Sequence, residues 1–355
     1  MKALIVVTGR GLGGDAVIAL NIIKSLEKHG LDCEIALDSS APGVLFEKNG
    51  YSWHKVSIPQ AGGHAATKLT TIKAAFKMLK ATFPIRKLVK NIKADIVVGI
   101  IGGGAIVGCV GAKLSRTPAV GIINTPLDTK ICTKLNHCIV LPEVELFKSK
   151  NLPANVDRSY YPVNPSISIG DPNKALNLIK KHCSKHNLEF DENKKTILFS
   201  SGSSLFELMV KAVAKFADDH DDYNIILIGI PLEEDYNKLI EGKDIINLKY
   251  IDWINDLYSF IDLAVLTDDG LMIQEAITCH LPAISLTRVK YGRYHNMEAI
   301  FKGAILESDF DQLNSKVQEL VDNLDEYKKK SELYSKEILN SCDKIGNIVV
   351  GEINK

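Results

Sequence analysis

The sequence has no excess of either charge: 43 Lys and Arg residues are matched by 43 Asp and Glu. No overall field therefore draws the chain to nucleic acid or to an acidic surface, and a nucleic-acid partner is not expected. There is no C-x-x-C pair. The seven cysteines, an odd number, stand scattered at 33, 109, 132, 138, 183, 279 and 342, which fits neither a disulfide framework nor a zinc site and points to a reducing cytosol. No uncharged apolar run reaches the roughly 18 residues a membrane-spanning helix needs. The short apolar run Ala3–Val7 leads into glycines without the hydrophobic region and cleavage site of a signal peptide. Low-complexity segments and short-period repeats are also missing. What remains is a chain of 355 residues, 46% of them hydrophobic, long enough to bury two cores.

Apolar runs and helical periodicities alternate along both halves. Strands are predicted at Lys2–Thr8, Asp32–Leu37, Trp53–Val56, Asp95–Ile101, Ala119–Ile123 and His137–Leu141, with helices over Asp15–His29, Pro42–Asn49, a long segment before Asp95, and Ala105–Leu114. Around Tyr160–Asp171 the periodicity lapses into prolines and glycine. A second series follows: strands at Thr196–Ser200, Asn224–Ile228, Asn247–Ile251, Leu263–Thr267 and Ala283–Leu286, with helices between them and to the end. Alternation of this kind implies parallel sheets covered on both faces. The expected organisation is a Rossmann-like domain over 1–160, a linker at 161–171 and a second Rossmann-like domain over 172–340, with a C-terminal helix free to pack back on the first. Ligands of doubly wound sheets sit beyond the carboxyl ends of the strands.

Gly9-Arg10-Gly11-Leu12-Gly13-Gly14 follows the first predicted strand and opens a helix, the context in which G-x-G-x-x-G cradles a diphosphate. The same glycines would also serve a bare strand-to-helix turn. A dinucleotide site would add an acidic residue at the end of the second strand, where Asp38 stands. Asp15 is open to two roles, helix N-cap or a carboxylate that deprotonates a nearby hydroxyl. Asp268-Asp269 has the composition of a metal-binding pair, but its place at a strand end before a helix favours capping. His182, Cys183 and His186 share a helix face, yet Lys180, Lys181 and Lys185 around them would repel a cation, so no metal site is expected.

Several segments, in order over nearly the whole chain, together resemble the MurG family, family 28 glycosyltransferases that add N-acetylglucosamine to a lipid-linked cell-wall precursor. They are Gly13-Gly14-Asp15; Lys93-Ala94-Asp95-Ile96-Val97-Val98-Gly99 with Gly102-Gly103-Gly104; Ser201-Gly202-Ser203-Ser204; Ile251-Asp252-Trp253-Ile254 with Tyr258; and Asp269-Gly270-Leu271-Met272-Ile273-Gln274-Glu275-Ala276 before Leu281-Pro282. The resemblance implies the GT-B architecture, two Rossmann-like doubly wound domains facing a central cleft. It implies a UDP-sugar donor on the C-terminal domain, at Gly202, Ser203, Ile251, Asp252, Trp253, Gly270, Leu271, Met272, Glu275, Arg293, His295 and Asn296. In the family the glutamate matching Glu275 binds the ribose hydroxyls, and a carboxylate accepting from two vicinal hydroxyls makes two charge-assisted bonds. Gly270 would let the diphosphate approach a helix N-terminus that stabilises the leaving charge, so no cation or other cofactor is expected. The acceptor is expected at Gly11, Gly13, Gly14, Gly103, Gly104, Asn124 and Thr125, with Asp15, where most of the family carries histidine, as the catalytic base.

The chain also departs from the family. Ser166-Ile167 stands where an arginine follows the matching Asn-Pro, Gly292-Arg293 replaces a glutamine pair, and Ile122-Ile123-Asn124-Thr125 replaces a His-Glu-Gln-Asn stretch. The donor side is thus better kept than the acceptor side, which leaves a peptidoglycan-type, a pseudomurein-type or another lipid-linked acceptor open. From Lys48 to Lys93 there is no acidic residue, while Lys68, Lys73, Lys77, Lys80, Arg86, Lys87, Lys90 and Lys93 interleave with Leu69, Ile72, Phe76, Leu79, Phe83, Ile85 and Leu88. A basic amphipathic surface over 68–93 attracts anionic lipid headgroups, which would hold a cytoplasmic protein peripherally on the inner face of the membrane. The rival readings are a UDP-sugar 2-epimerase on the same architecture, an NAD-dependent oxidoreductase using the first glycine motif, and a GT-B-like subunit without catalysis.

Overall fold

The structure is a computed structural model that describes residues 1–8, 13–58, 68–142, 152–268, 270–290 and 296–355, with backbone alone for 68–76. Two compact units divide the chain, Met1–Pro162 with Asn340–Lys355, and Val163–Leu339.

The first unit runs β1 (Lys2–Val7), α1 (Gly14–Lys28), β2 (Asp32–Asp38), α2 (Val44–Lys48), β3 (His54–Val56), α3 (Lys68–Ile92), β4 (Ile96–Ile100), α4 (Ile101–Ser115), β5 (Ala119–Ile123), α5 (Pro126–Cys132), β6 (His137–Val140) and β7 (Val156–Arg158). Its described strands form one sheet in the order β3-β2-β1-β4-β5-β6-β7, with parallel pairing throughout. Ala3 to Val7 are wholly buried, as expected of a central parallel strand covered on both faces.

The second unit runs α6 (Pro172–His186), β8 (Lys195–Leu205), α7 (Glu207–Asp219), β9 (Tyr223–Pro231), β10 (Ile246–Lys249), α8 (Ile254–Phe260), β11 (Leu263–Thr267), α9 (Leu271–Thr278), β12 (Ala283–Leu286), α10 (Met297–Ile300), β13 (Ile305–Ser308), α11 (Leu313–Asp322) and α12 (Leu324–Leu339). The described strands are ordered β10-β9-β8-β11-β12-β13, again all parallel. The last helix, α13 (Ser341–Ile353), belongs to the first unit. It lies close against α1: Ser25 Oγ donates to the Cys342 carbonyl at 2.8 Å, and a Cβ on Gly346 would come within 2.6 Å of Ser25 Oγ. Ser341 Oγ adds a bond to the Tyr161 carbonyl at 2.9 Å.

Three elements go beyond the sequence expectation: α5, β7 and β13. The predicted strand Thr196–Ser200 is longer, because β8 continues to Leu205 across a register shift between Ser200 and Ser204. The expected turn at Ser201–Ser204 is therefore a bulge in a strand. Val163–Asp171, read as linker, lies in the second unit and includes a 3-10 turn at Pro165–Ser168. Among the described residues no helix is long and apolar enough to cross a membrane.

Candidate functional site

In each unit the strand order reverses once, between β1 and β4 and between β8 and β11. The carboxyl ends of such a strand pair open the crevice in which doubly wound sheets hold ligands; Gly13 and Gly102 follow β1 and β4, and Gly202 and Gly270 stand near the end of β8 and after β11.

In the first unit the crevice is flanked by the starts of α1 and α4. Gly13 is the N-cap of α1, at φ 95° and ψ −168° with no side-chain cap bond, a conformation that suits glycine alone. Asp15 is therefore not the cap, contrary to one of its two expected roles. It is the second helical residue, half-buried, in the first turn where the helix dipole favours a carboxylate by about 0.3–1 kcal/mol. A Cβ on Gly14 would meet nothing within 4 Å, so open space adjoins this helix start. Gly9, Arg10, Gly11 and Leu12 lie outside the described residues. Asp38, the residue a dinucleotide ribose would need, is engaged by backbone of its own loop and of the segment after β3, accepting from Ser40 N–H at 2.9 Å and Ile58 N–H at 2.8 Å.

The second glycine run does something different. Gly103 and Gly104 are buried, and a Cβ on Gly104 would stand 2.7 Å from the Val6 carbonyl oxygen. Gly99 and Gly108 meet almost backbone to backbone, since a Cβ on Gly108 would come within 3.1 Å of the Gly99 Cα. These glycines let α4 lie directly on β1 and β4. Gly102 has a non-helical conformation, φ 55° and ψ −121°, and its N–H donates to Asp128 Oδ2 at 2.8 Å. Thr125 is the N-cap of α5, in a reciprocal capping box with Asp128. Asn124 donates through Nδ2 to the Tyr161 hydroxyl at 3.1 Å. Asp128 was missed from sequence, although Thr125-Pro126-Leu127-Asp128 carries the capping-box spacing.

In the second unit, Gly270 repeats the Gly13 device: it is the N-cap of α9 at φ 117° and ψ −168°, with no side-chain cap bond and no atom within 4 Å of where a Cβ would be. The expected capping by Asp268 does not occur. Its buried carboxylate accepts from Arg288 N–H at 3.3 Å, and Asp269 lies outside the described residues. Gly202, at φ 99°, and Ser203 stand half-buried at the β8 bulge. Ser201 Oγ closes the bulge on the Ser204 carbonyl at 2.9 Å. Ser200 Oγ lies 3.5 Å from the Met272 sulfur, which ties α9 to β8, while Leu271 is buried. Ile251 and Trp253 are half-buried and Asp252 exposed, Trp253 standing as N-cap of α8.

Glu275 sits half-buried on α9 and accepts from the Tyr258 hydroxyl of α8 at 3.4 Å. Burial pushes its carboxyl up to about 7, and the tyrosine bond opposes that shift. The contact of Tyr258 to Glu275 goes beyond the sequence expectation. Asn296 is half-buried, and its Oδ1 accepts from Ala299 N–H at 2.8 Å, which makes it the N-cap of α10. Arg293 and His295 lie outside the described residues.

On α3, Met78, Ala81, Ile85 and Val89 face the core, whereas Lys77, Lys80, Arg86, Lys87 and Lys90 are exposed. Leu79 and Phe83 are each 58% exposed among them. The face is thus more than a solvated helix surface with every apolar residue turned inward. Lys68, Lys73, Leu69, Ile72 and Phe76 lie where side chains are not described.

Residues 5–120 match the model of the glycosyltransferase family 28 N-terminal domain. The chain is 25% identical over 362 residues to a UDP-N-acetylglucosamine–N-acetylmuramyl-(pentapeptide) pyrophosphoryl-undecaprenol N-acetylglucosamine transferase of Finegoldia magna, covering 92% of this chain and 93% of that one. Among solved structures it is similar to MurG of Acinetobacter baumannii, with TM-score 0.64, 14% identity and 99% of both chains covered. It is also similar to a Listeria monocytogenes chain described as a UDP-N-acetylglucosamine 2-epimerase, with TM-score 0.65, 13% identity and coverage of 99% and 95%. The two units have the GT-B glycosyltransferase fold.

Proposed function

We propose that this chain, a MurG-like family 28 glycosyltransferase and thus a UDP-sugar-dependent enzyme, transfers N-acetylglucosamine from UDP-N-acetylglucosamine to a lipid-linked cell-envelope precursor, with inversion and without a metal ion. The observation that carries the donor side is the uncapped, glycine-opened start of α9 with Glu275 one turn further on, at the point where the second sheet reverses its strand order. The free N–H groups of α9 face the diphosphate and take up the charge that develops as UDP leaves. Glu275, as carboxylate, accepts from the ribose hydroxyls. Gly202 and Ser203, at the β8 bulge, border the same crevice, and the Ile251–Trp253 segment leads into the α8 helix that carries Tyr258.

On the acceptor side, Asp15 takes the proton of the attacking hydroxyl as its oxygen bonds to the anomeric carbon from the face opposite UDP. One C–O bond forms, the bond from the anomeric carbon to the diphosphate oxygen breaks, and UDP carries the electron pair away. A single displacement of this kind inverts the anomeric centre. Gly13 and Gly14 leave room beside Asp15 for the acceptor. The exposed α3 face, with Lys77, Lys80, Arg86 and Lys87 around Leu79 and Phe83, supports docking on an anionic lipid surface from which a peptidoglycan- or pseudomurein-type precursor would be taken.

The test is calorimetric titration with UDP, UDP-N-acetylglucosamine and NAD without added metal, beside Glu275→Ala. UDP-sugar binding weakened by the variant supports the donor site, and binding of NAD alone overturns it. The likeness to a 2-epimerase gives a second reading on the same uridine site. Conversion of UDP-N-acetylglucosamine to its 2-epimer with no acceptor present would select that reading, whereas donor consumption only with a lipid acceptor selects the transferase.

A further inference from the structure

Helix α5 buries Asp128, Thr129 and Cys132, yet its outward side is not wholly polar. Leu127 is 40% exposed, and Ile131 and Leu135 are half-buried. Leu127 and Ile131 lie one turn apart on the same side, about 6 Å along the helix axis, and Leu135 follows in the turn after the helix. Lys130 and Lys134, also four residues apart, stand exposed beside this row. These five residues line an open groove of about 370 Å³, a volume within the roughly 300–1,000 Å³ at which proteins seat small ligands.

Among the described residues the groove carries charge of one sign only. No acidic residue lines it, and the one acidic residue between Asp95 and Glu143, Asp128, is fully buried. Lys130 and Lys134 have no ion-pair partner among the described residues. Two free ammonium groups beside an apolar row match one kind of ligand, an apolar chain with an anionic head. The ammonium groups make charge-assisted bonds to phosphate oxygens, while a chain laid on Leu127, Ile131 and Leu135 leaves water. Free phosphate would use only the lysines, and an uncharged lipid only the row. The position of the groove agrees with this. Helix α5 starts at Thr125, at the end of β5, where the acceptor is expected, and the groove begins one turn on. Cys132 of α5 packs in one core with Met78 and Ile85 of α3 and Ala105 and Cys109 of α4. The three helices therefore cover one face of the first sheet, the layer that also exposes Leu79, Phe83 and Leu114.

We propose that the α5 groove is the seat of the lipid end of the acceptor: Lys130 and Lys134 hold its diphosphate, and Leu127, Ile131 and Leu135 carry the first part of its chain. The sugar end then points along α5 toward Asn124 and the crevice. The proposal rests on the transferase reading for naming its occupant the acceptor, while a seat for a lipid diphosphate stands on the α5 groove alone. It differs from docking on a membrane surface, because a single lipid molecule in water suffices to fill it.

The experiment titrates the full chain with farnesyl diphosphate, a soluble isoprenoid diphosphate, below the concentration at which it forms micelles, and follows the methyl resonances of Leu127, Ile131 and Leu135. Inorganic pyrophosphate and farnesol are titrated in parallel. Farnesyl diphosphate is expected to shift these methyls and to bind at least tenfold more tightly than either part alone. Lys130→Glu with Lys134→Glu should weaken it at least tenfold, and Leu127→Ser severalfold, whereas Lys77→Glu with Lys80→Glu on α3 should change it less than twofold. Absence of binding, binding without shifts at α5, or pyrophosphate bound as tightly as farnesyl diphosphate would overturn the proposal. So would equal loss on reversal of the α3 lysines, which is the mark of a general basic surface. Should an α5 variant fail to fold, the wild-type shifts decide alone, those at Leu127, Ile131 and Leu135 supporting the seat and their absence refuting it. UDP titrated on the same samples keeps the two readings apart. UDP binding without farnesyl diphosphate binding sinks the groove and spares the transferase, and the converse spares the groove and sinks the transferase.

Discussion

At the donor site proposed above, the half-buried carboxyl of Glu275 would make donor binding depend on pH across neutrality. Its pKa is raised to about 7 by burial. If only the carboxylate accepts from both ribose hydroxyls, affinity follows the ionised fraction, which falls from about nine-tenths at pH 8 to about one-tenth at pH 6 for a pKa near 7. Donor affinity should therefore weaken close to tenfold between those pH values, about 1.3 kcal/mol. UDP-N-acetylglucosamine is the ligand to use, because its diphosphate is esterified at both ends and does not itself titrate in this window. Calorimetry at intervals from pH 6 to pH 8 gives the profile. Glu275→Gln should bind more weakly at pH 8 and show no slope. Tyr258→Phe removes the one bond that favours the ionised form, so its midpoint should move to higher pH. Stability supplies an independent check of opposite sign. The folded pKa lies above the unfolded one, so the protonated form is favoured by folding, and the carboxyl costs stability as pH rises from the unfolded pKa through the folded one. Well above pH 7 that cost approaches a limit on the order of 3 kcal/mol. Glu275→Gln should accordingly raise the melting temperature at pH 8 and leave it nearly unchanged at pH 4. A wild-type affinity that is flat from pH 6 to pH 8, or a Gln variant that keeps the slope, would refute the reasoning.

Asp15→Asn should lower kcat by at least about a hundredfold, the usual worth of a general base, with KM for the donor unchanged; full activity in steady-state assays would remove Asp15 from the chemistry. Gly104→Ala places a methyl 2.7 Å from the Val6 carbonyl oxygen, where backbone must move, and should cost about 1–3 kcal/mol in urea unfolding. Gly14→Ala, with open space at that position, should leave stability intact. Reversing Lys77, Lys80 and Lys87 to Glu should strongly weaken sedimentation with vesicles containing anionic lipid while UDP binding persists, and replacing Leu79 and Phe83 by Ser in the otherwise unchanged chain should weaken the part that survives high salt, where the electrostatic part is screened.

The doubly wound pattern was legible because central parallel strands are short, almost wholly apolar and bounded by glycine or a helix start, as in Ala3–Val7 and Leu263–Thr267. The missed β7 and β13 are edge strands of three and four residues: Val156–Arg158 has a single buried residue, and Ile305–Ser308 lies within the helical tail the sequence suggests. The candidate site was legible only where the residue type is dictated by backbone conformation. Gly13 and Gly270 stand at positive φ, with empty space beside Gly14 and Gly270, and the same reasoning that reads a glycine-opened helix as an anion site holds for both. At Gly102–Gly104 a glycine run means something else, because what glycine is for depends on what a Cβ would touch. At Gly104 it would touch the neighbouring strand, and the Gly102 N–H is answered by Asp128 from 26 residues away. Sequence spacing reports the turn in all three places. Only the distances separate a glycine with open space beside it, as at Gly14 and Gly270, from one packed against the fold, as at Gly104.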